Sequence, residues 1–141
     1  MGRVAFLFAG QGAQVPGMAS DVKDLPKVQK LFSVAEAIRP GIVEKMLGGT
    51  QEELNRTLLT QPTMFLADLA YAYAKEEEFG APACACGFSV GEVPALCFAG
   101  MLSEEDAFRA IVKRAELMEA YTARVPRGMI ACVKLPPVKV E

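Results

Sequence analysis

The chain opens on a continuous apolar run, Val4-Ala5-Phe6-Leu7-Phe8, that ends in Gly10-Gln11-Gly12. An apolar run without polar alternation predicts a buried, parallel-type strand feeding a loop. From Pro26 the period changes. Val28, Leu31, Phe32, Ala35 and Ile38 share one helical face, and Pro40-Gly41 stops that helix. Ile42 to Leu47 reads as a short helix closed by Gly48-Gly49, and Thr50 with Glu53 forms a capping box for the next. Pro62 suits the first turn of a longer helix running to about Phe79, with Phe65, Leu66, Leu69, Ala72 and Tyr73 as its inner stripe. Gly80-Ala81-Pro82 breaks the chain before a small-residue strand, Ala83 to Gly87. Glu92 to Phe98 predicts a short buried helix ending at Gly100. Ser103, with Asp106 three residues on, caps a long helix to about Arg124. Pro126 and Gly128 end that helix, and Met129 to Val133 predicts a third buried strand. Strands alternating with helices imply an α/β layer fold with a parallel sheet, here thin and open at its edges.

Composition narrows the class. The 141 residues fit one compact domain, and 52% hydrophobic against 23% charged provides ample material for a core. A formal charge of −2, with acidic and basic side chains interspersed, gives no footprint for nucleic acid or an anionic membrane. No apolar stretch approaches the ~20 residues of a membrane span. Arg3 with the following apolar run mimics a signal peptide but is too brief, and Phe6 stands where a myristoylation site wants Ser or Thr. Any organelle presequence is expected to lie outside this numbering. The four cysteines form no C-x-x-C, and no histidine completes a zinc set, so no metal site is expected. Cys84, Cys86, Cys97 and Cys132 read as small buried residues of a reducing compartment, with Cys84 and Cys86 on one strand face.

The chemistry concentrates in Gly87-Phe88-Ser89-Val90-Gly91, a G-x-S-x-G signature between a strand and a helix. That pattern sets a serine on a tight turn, its hydroxyl exposed and the next backbone N–H facing a developing oxyanion. A serine needs a neighbouring base, and the 141 residues contain no histidine. After the first strand, Gly10-Gln11-Gly12-Ala13-Gln14 has Val15 where a dinucleotide loop needs its third glycine, and Pro16 interrupts the helix that would receive a pyrophosphate. A plain flexible connection and a loop donating N–H groups to an oxyanion remain open there. Arg114 is the third signal. It falls within the apolar stripe Ala107, Ala110, Ile111, Leu117, Met118 and Tyr121, so it points inward and needs an anion. Spacing leaves two readings open, a structural pair with an internal carboxylate such as Glu92, or a clamp on a substrate carboxylate.

Together these pieces resemble the malonyl-CoA:acyl carrier protein transacylases. The resemblance runs along nearly the whole chain in four ordered blocks: Phe6 to Gln14 with Gly17-Met18; Thr60-Gln61-Pro62 with Phe65 to Ala70; Gly87 to Glu92 with Phe98-Ala99-Gly100; and Lys113 to Met118. It implies an α/β-hydrolase-like parallel sheet flanked by helices, present here in part. Residues 1–141 would form the N-terminal part of the acyltransferase domain, ending near the start of the small ferredoxin-like subdomain. Carried over by position, Ser89 holds the malonyl ester, the backbone N–H groups of Gln11 and Val90 form the oxyanion hole, and Arg114 binds the malonyl carboxylate. Malonyl-CoA is the implied donor, acyl carrier protein the acceptor, and no cofactor is required.

The chain departs from the family pattern in places. Phe88 replaces the histidine most common before the serine, a form similar to mitochondrial members, which points to a mitochondrial location with the bacterial cytoplasm as alternative. Pro94 falls in the helix after the nucleophile, where its missing N–H predicts a distorted elbow. The family's catalytic histidine, its small subdomain and its further strands belong to the later half of the fold. Two functions follow. One is malonyl transfer in fatty acid synthesis, with the missing half in a longer chain or a second polypeptide, and with these 141 residues inactive alone. The other is a non-catalytic structural or binding subunit derived from the transacylase.

Overall fold

The computed structural model describes residues 3–124 and Lys134. In chain order the elements are β1 (Ala5–Phe8), α1 (Pro26–Ile38), α2 (Ile42–Gly48), α3 (Gln51–Leu54), α4 (Thr57–Phe79), β2 (Cys84–Gly87), a 3₁₀ turn (Ser89–Gly91), α5 (Glu92–Phe98) and α6 (Glu104–Arg124). The segment expected as a third strand, Met129 to Val133, lies outside the described residues, as does Cys132. β1 and β2 pair in parallel, with Ala5 opposite Cys84 and Phe8 opposite Gly87.

Helix α4 is the axis of the molecule, with α1, α2, α5 and α6 packed around it. From Thr60 to Ala70 every residue except Asp68 is buried, so its inner surface is wider than a single stripe. Phe65 and Phe108 meet at 5.7 Å between ring centroids where α4 crosses α6. Each such fully buried side chain contributes about 1.5–3 kcal/mol.

Pro62 is not in the first turn as expected, since α4 begins upstream at Thr57. A proline inside a helix leaves the carbonyl four residues back without its N–H donor. Here that carbonyl belongs to Leu58, and Arg39 Nη1 donates to it at 2.7 Å. The capping box at α3 is complete, the Glu53 N–H donating to Thr50 Oγ1 and the Thr50 N–H to Glu53 Oε2. At α6 the Asp106 N–H donates to Ser103 Oγ at 3.0 Å. Both caps form because Ser and Thr oxygens satisfy orphan N–H groups of a first turn.

The sheet is covered on one face. Phe98 of α5 lies 5.5 Å from Phe6 and 5.7 Å from Phe8 between ring centroids, with Tyr73 of α4 at 6.2 Å. On the other face Ala5, Leu7, Cys84 and Cys86 are exposed, Leu7 by 80%. This corrects two expectations, a strand buried on both faces and buried cysteines at 84 and 86. The reason is topological, because no described helix lies against that face. Cys97, on α5, is buried as expected, and burial pushes its thiol up to about 11.

Candidate active site

Parallel pairing brings the C-terminal ends of β1 and β2 to one edge, where the ligand sites of parallel sheets form. The Gly10–Gln14 loop leaves β1 there, beside the turn that leaves β2. The Phe88 N–H donates to the Phe8 carbonyl at 3.1 Å, and the Gly91 N–H to the Phe88 carbonyl at 3.0 Å. Between them Ser89 takes φ +53°, a left-handed conformation costing a non-glycine residue about 1–2 kcal/mol. Glycine is required on both sides. A Cβ on Gly87 would overlap the Gly91 carbonyl, and one on Gly91 would overlap the Phe8 carbonyl oxygen. Ser89 is thereby held exposed on a sharp strand-to-helix turn. Pro94 does not distort it. It occupies the first turn of α5, where a backbone N–H has no helical partner to lose.

The loop after β1 is pinned. Gln14 is buried, and its Oε1 accepts the Gly12 N–H at 2.8 Å while its Nε2 donates to Asn55 Oδ1 at 2.8 Å. From α3, Gln51 Nε2 donates to the Gln14 carbonyl at 3.1 Å. Two of these bonds tie the loop to α3 and the residue that ends it, which a plain flexible connection would not need. The backbone N–H groups of Gln11 and Val90 have no hydrogen-bond acceptor among the described residues.

Arg114 reaches this site from α6, half-buried. Its Nη2 donates to Ser89 Oγ at 3.3 Å and its Nη1 to Gln61 Oε1 at 2.5 Å. No carboxylate among the described residues pairs with it, Glu92 included, so the structural ion pair is excluded within that span. Gln61 is fully buried, and its Nε2 donates to Met118 Sδ at 3.2 Å. The apolar stripe on α6 differs from expectation. Ala107, Phe108, Ile111 and Ala115 are buried, whereas Ala110, Leu117, Met118 and Tyr121 are exposed. Past Ala115 the side chains of Leu117, Met118 and Tyr121 leave the cover of the described core and form an apolar rim on α6.

Residues 5–141 match the acyl transferase domain. The chain belongs to that family. It is 38% identical over 130 residues to the mitochondrial malonyl-CoA-acyl carrier protein transacylase of Mus musculus, covering 89% of this chain and 34% of the mouse protein. It is 33% identical over 143 residues to the malonyl CoA-acyl carrier protein transacylase of Escherichia coli K12, covering 99% and 46% of the two chains. Among solved structures, the transacylase of Clostridium perfringens superposes with a TM-score of 0.81 at 29% identity, over 99% of this chain and 45% of that one. A malonyl-transacylase in complex with a type II polyketide acyl-carrier protein superposes at 0.77 with 34% identity, over 90% and 41%. The chain thus spans between 34% and 46% of these relatives' lengths.

Within this acyl transferase domain the structure brings Ser89 and Arg114 together, at the strand edge where the Gln11 loop begins. Two further polar residues on α4 belong to no catalytic motif in the sequence. Gln61 was visible as a polar residue between Thr60 and Pro62, one helical turn before Phe65. Asp68 was visible as a lone acid between Leu66 and Leu69. Burial raises the Asp68 carboxyl to about 7, opposed by the Ala9 N–H that donates to its Oδ1 at 3.4 Å. A pKa near neutrality suits a base, but no hydrogen bond joins Asp68 to Ser89 or Arg114. It lines instead a groove of about 420 Å³ along the outer edge of β1.

Proposed function

We propose that this chain contributes the nucleophile, oxyanion hole and acyl clamp of a malonyl transferase, moving malonyl from malonyl-CoA to acyl carrier protein in fatty acid synthesis. The observation that carries the reading is the contact between Arg114 and Ser89 on a left-handed turn, with the Arg114 charge unmatched by any described carboxylate. Ser89 Oγ attacks the thioester carbonyl while a base takes its proton. The N–H groups of Gln11 and Val90 receive the oxyanion, the C–S bond breaks, and the coenzyme A sulfur leaves with a proton. The thiol of the carrier protein's prosthetic arm then attacks the malonyl ester and restores Ser89. Arg114 grips the malonyl carboxylate. It does not act as base, because a guanidinium stays protonated in proteins.

The base lies outside these 141 residues, which hold no histidine, in a longer chain or on a second polypeptide. In this reading residues 1–141 are the N-terminal part of a domain with an α/β-hydrolase-like sheet. The likeness to mitochondrial relatives in mouse and human supports a mitochondrial setting, and the likeness to bacterial relatives supports the bacterial cytoplasm as alternative. The missing base also favours a second reading, a non-catalytic structural or binding subunit.

One experiment separates these. With malonyl-CoA or acetyl-CoA, the native protein should form an acyl ester seen by intact mass, and Ser89→Ala should abolish it. Arg114→Ala should depress malonyl loading more than acetyl loading, because only malonyl loses a charge-assisted pair of about 1.5–3 kcal/mol. Lys113→Ala should leave the ratio unchanged. The isolated 141-residue chain should transfer no malonyl above its Ser89→Ala control. No ester on the native protein would favour the structural subunit, and equal losses for the two acyl groups would remove the clamp.

A further inference from the structure

We infer that Gln61 is a specificity-positioning residue whose neutral amide holds the Arg114 guanidinium over Ser89 while leaving its positive charge available to an anionic acyl group. The inference rests on the clamp reading of Arg114 and adds what makes the clamp selective. A half-buried guanidinium must be hydrogen-bonded, and a carboxylate is its usual partner in protein interiors. Here the partner is a fully buried amide, with Arg114 Nη1 to Gln61 Oε1 at 2.5 Å. An amide oxygen satisfies the N–H without supplying a counter-charge, so the field above Ser89 stays positive.

The direction of the amide is set chemically. A guanidinium only donates, so it selects Oε1, and the Met118 thioether only accepts, so it selects Nε2 at 3.2 Å. Helix α4 fixes the other end. Gln61 lies between Thr60, whose hydroxyl is bonded to the Leu54 carbonyl, and Pro62, whose ring cannot leave its backbone angle. Arg114 therefore keeps one N–H anchored in the core and turns the other toward Oγ. Glutamate at position 61 would have nearly the same shape but would form a buried ion pair with Arg114 and cancel the charge that an incoming carboxylate needs.

The test is competition between malonyl-CoA and acetyl-CoA for Ser89 in the native protein, with whatever polypeptide completes its acyl transferase domain, read as the ratio of the two acyl-enzymes by intact mass. Gln61→Glu should lower the malonyl-to-acetyl ratio by roughly tenfold or more while acetyl loading persists. Met118→Leu keeps the volume, removes the thioether acceptor and frees the amide to turn. It should lower the same ratio several-fold by raising KM for malonyl-CoA more than KM for acetyl-CoA. Met118 is partly exposed, so this variant decides the matter if Gln61→Glu fails to fold. A ratio unchanged in Met118→Leu, or in a folded Gln61→Glu, overturns the inference while the transferase reading stands. An unsubstituted protein that loads neither acyl group overturns both.

Discussion

Asp68 shows how one side chain on α4 couples the core to pH. One of its carboxylate oxygens accepts the Ala9 N–H, and the other is buried with no hydrogen-bond partner among the described residues. Desolvation therefore favours the protonated acid and raises it from 3.8 to about 7. The folded value lies above the unfolded one, so folding binds a proton in that window. The stabilisation from the protonated acid is full below about pH 4 and is lost as pH rises through about 7, by up to roughly 4 kcal/mol. Asp68→Asn should remove this dependence. Thermal melts from pH 4 to 8 should show the unsubstituted protein losing stability against the variant as pH rises, with the variant the more stable at pH 8. Parallel profiles would show that folding does not raise the Asp68 carboxyl. Gln61 is the complementary case, a buried amide with both ends matched and no group that titrates in this range.

At the scale of elements, the strand–turn–helix from β2 to α5 depends on backbone proximity. Gly91 lies against the Phe8 and Ala9 carbonyls, so any Cβ there forces β1 and the serine turn apart. Gly91→Ala should cost several kcal/mol, as overpacking against backbone does, and should relax Ser89 from its left-handed angle. The readouts are a lowered denaturant midpoint and loss of acyl loading together. A variant of unchanged midpoint and full loading would show that the close approach is not needed. The motif was legible because G-x-S-x-G states this steric demand in five residues. The helix caps and the period of α1 were legible for the same reason, since their partners lie within one or two turns. The start of α4 was not. Pro62 looks like a first-turn residue until Arg39, distant in sequence, is seen donating to the Leu58 carbonyl that the proline orphans.

For the whole molecule, apolar surface lies open at the sheet and around the site, with Leu7 exposed by 80%, Phe88 by 74% and Met101 by 71%. Isolated exposed apolar residues are ordinary, but a bare sheet face next to an apolar rim is not. Produced alone, the 141-residue chain should bind an environment-sensitive apolar dye and sediment as more than a monomer. A dye-silent monomer with a cooperative calorimetric transition would count against this and favour a self-sufficient, non-catalytic subunit. What the sequence alone determined are the features carried by neighbours along the chain: the α/β alternation, the serine turn, the helix caps and the inward cast of Arg114. The partner of Arg114, the covered face of the sheet and the proton affinity of Asp68 were decided only by tertiary structure. Each depends on which distant groups arrive to fill a hydrogen bond or exclude water, and an apolar run or a lone charge does not say what it will meet.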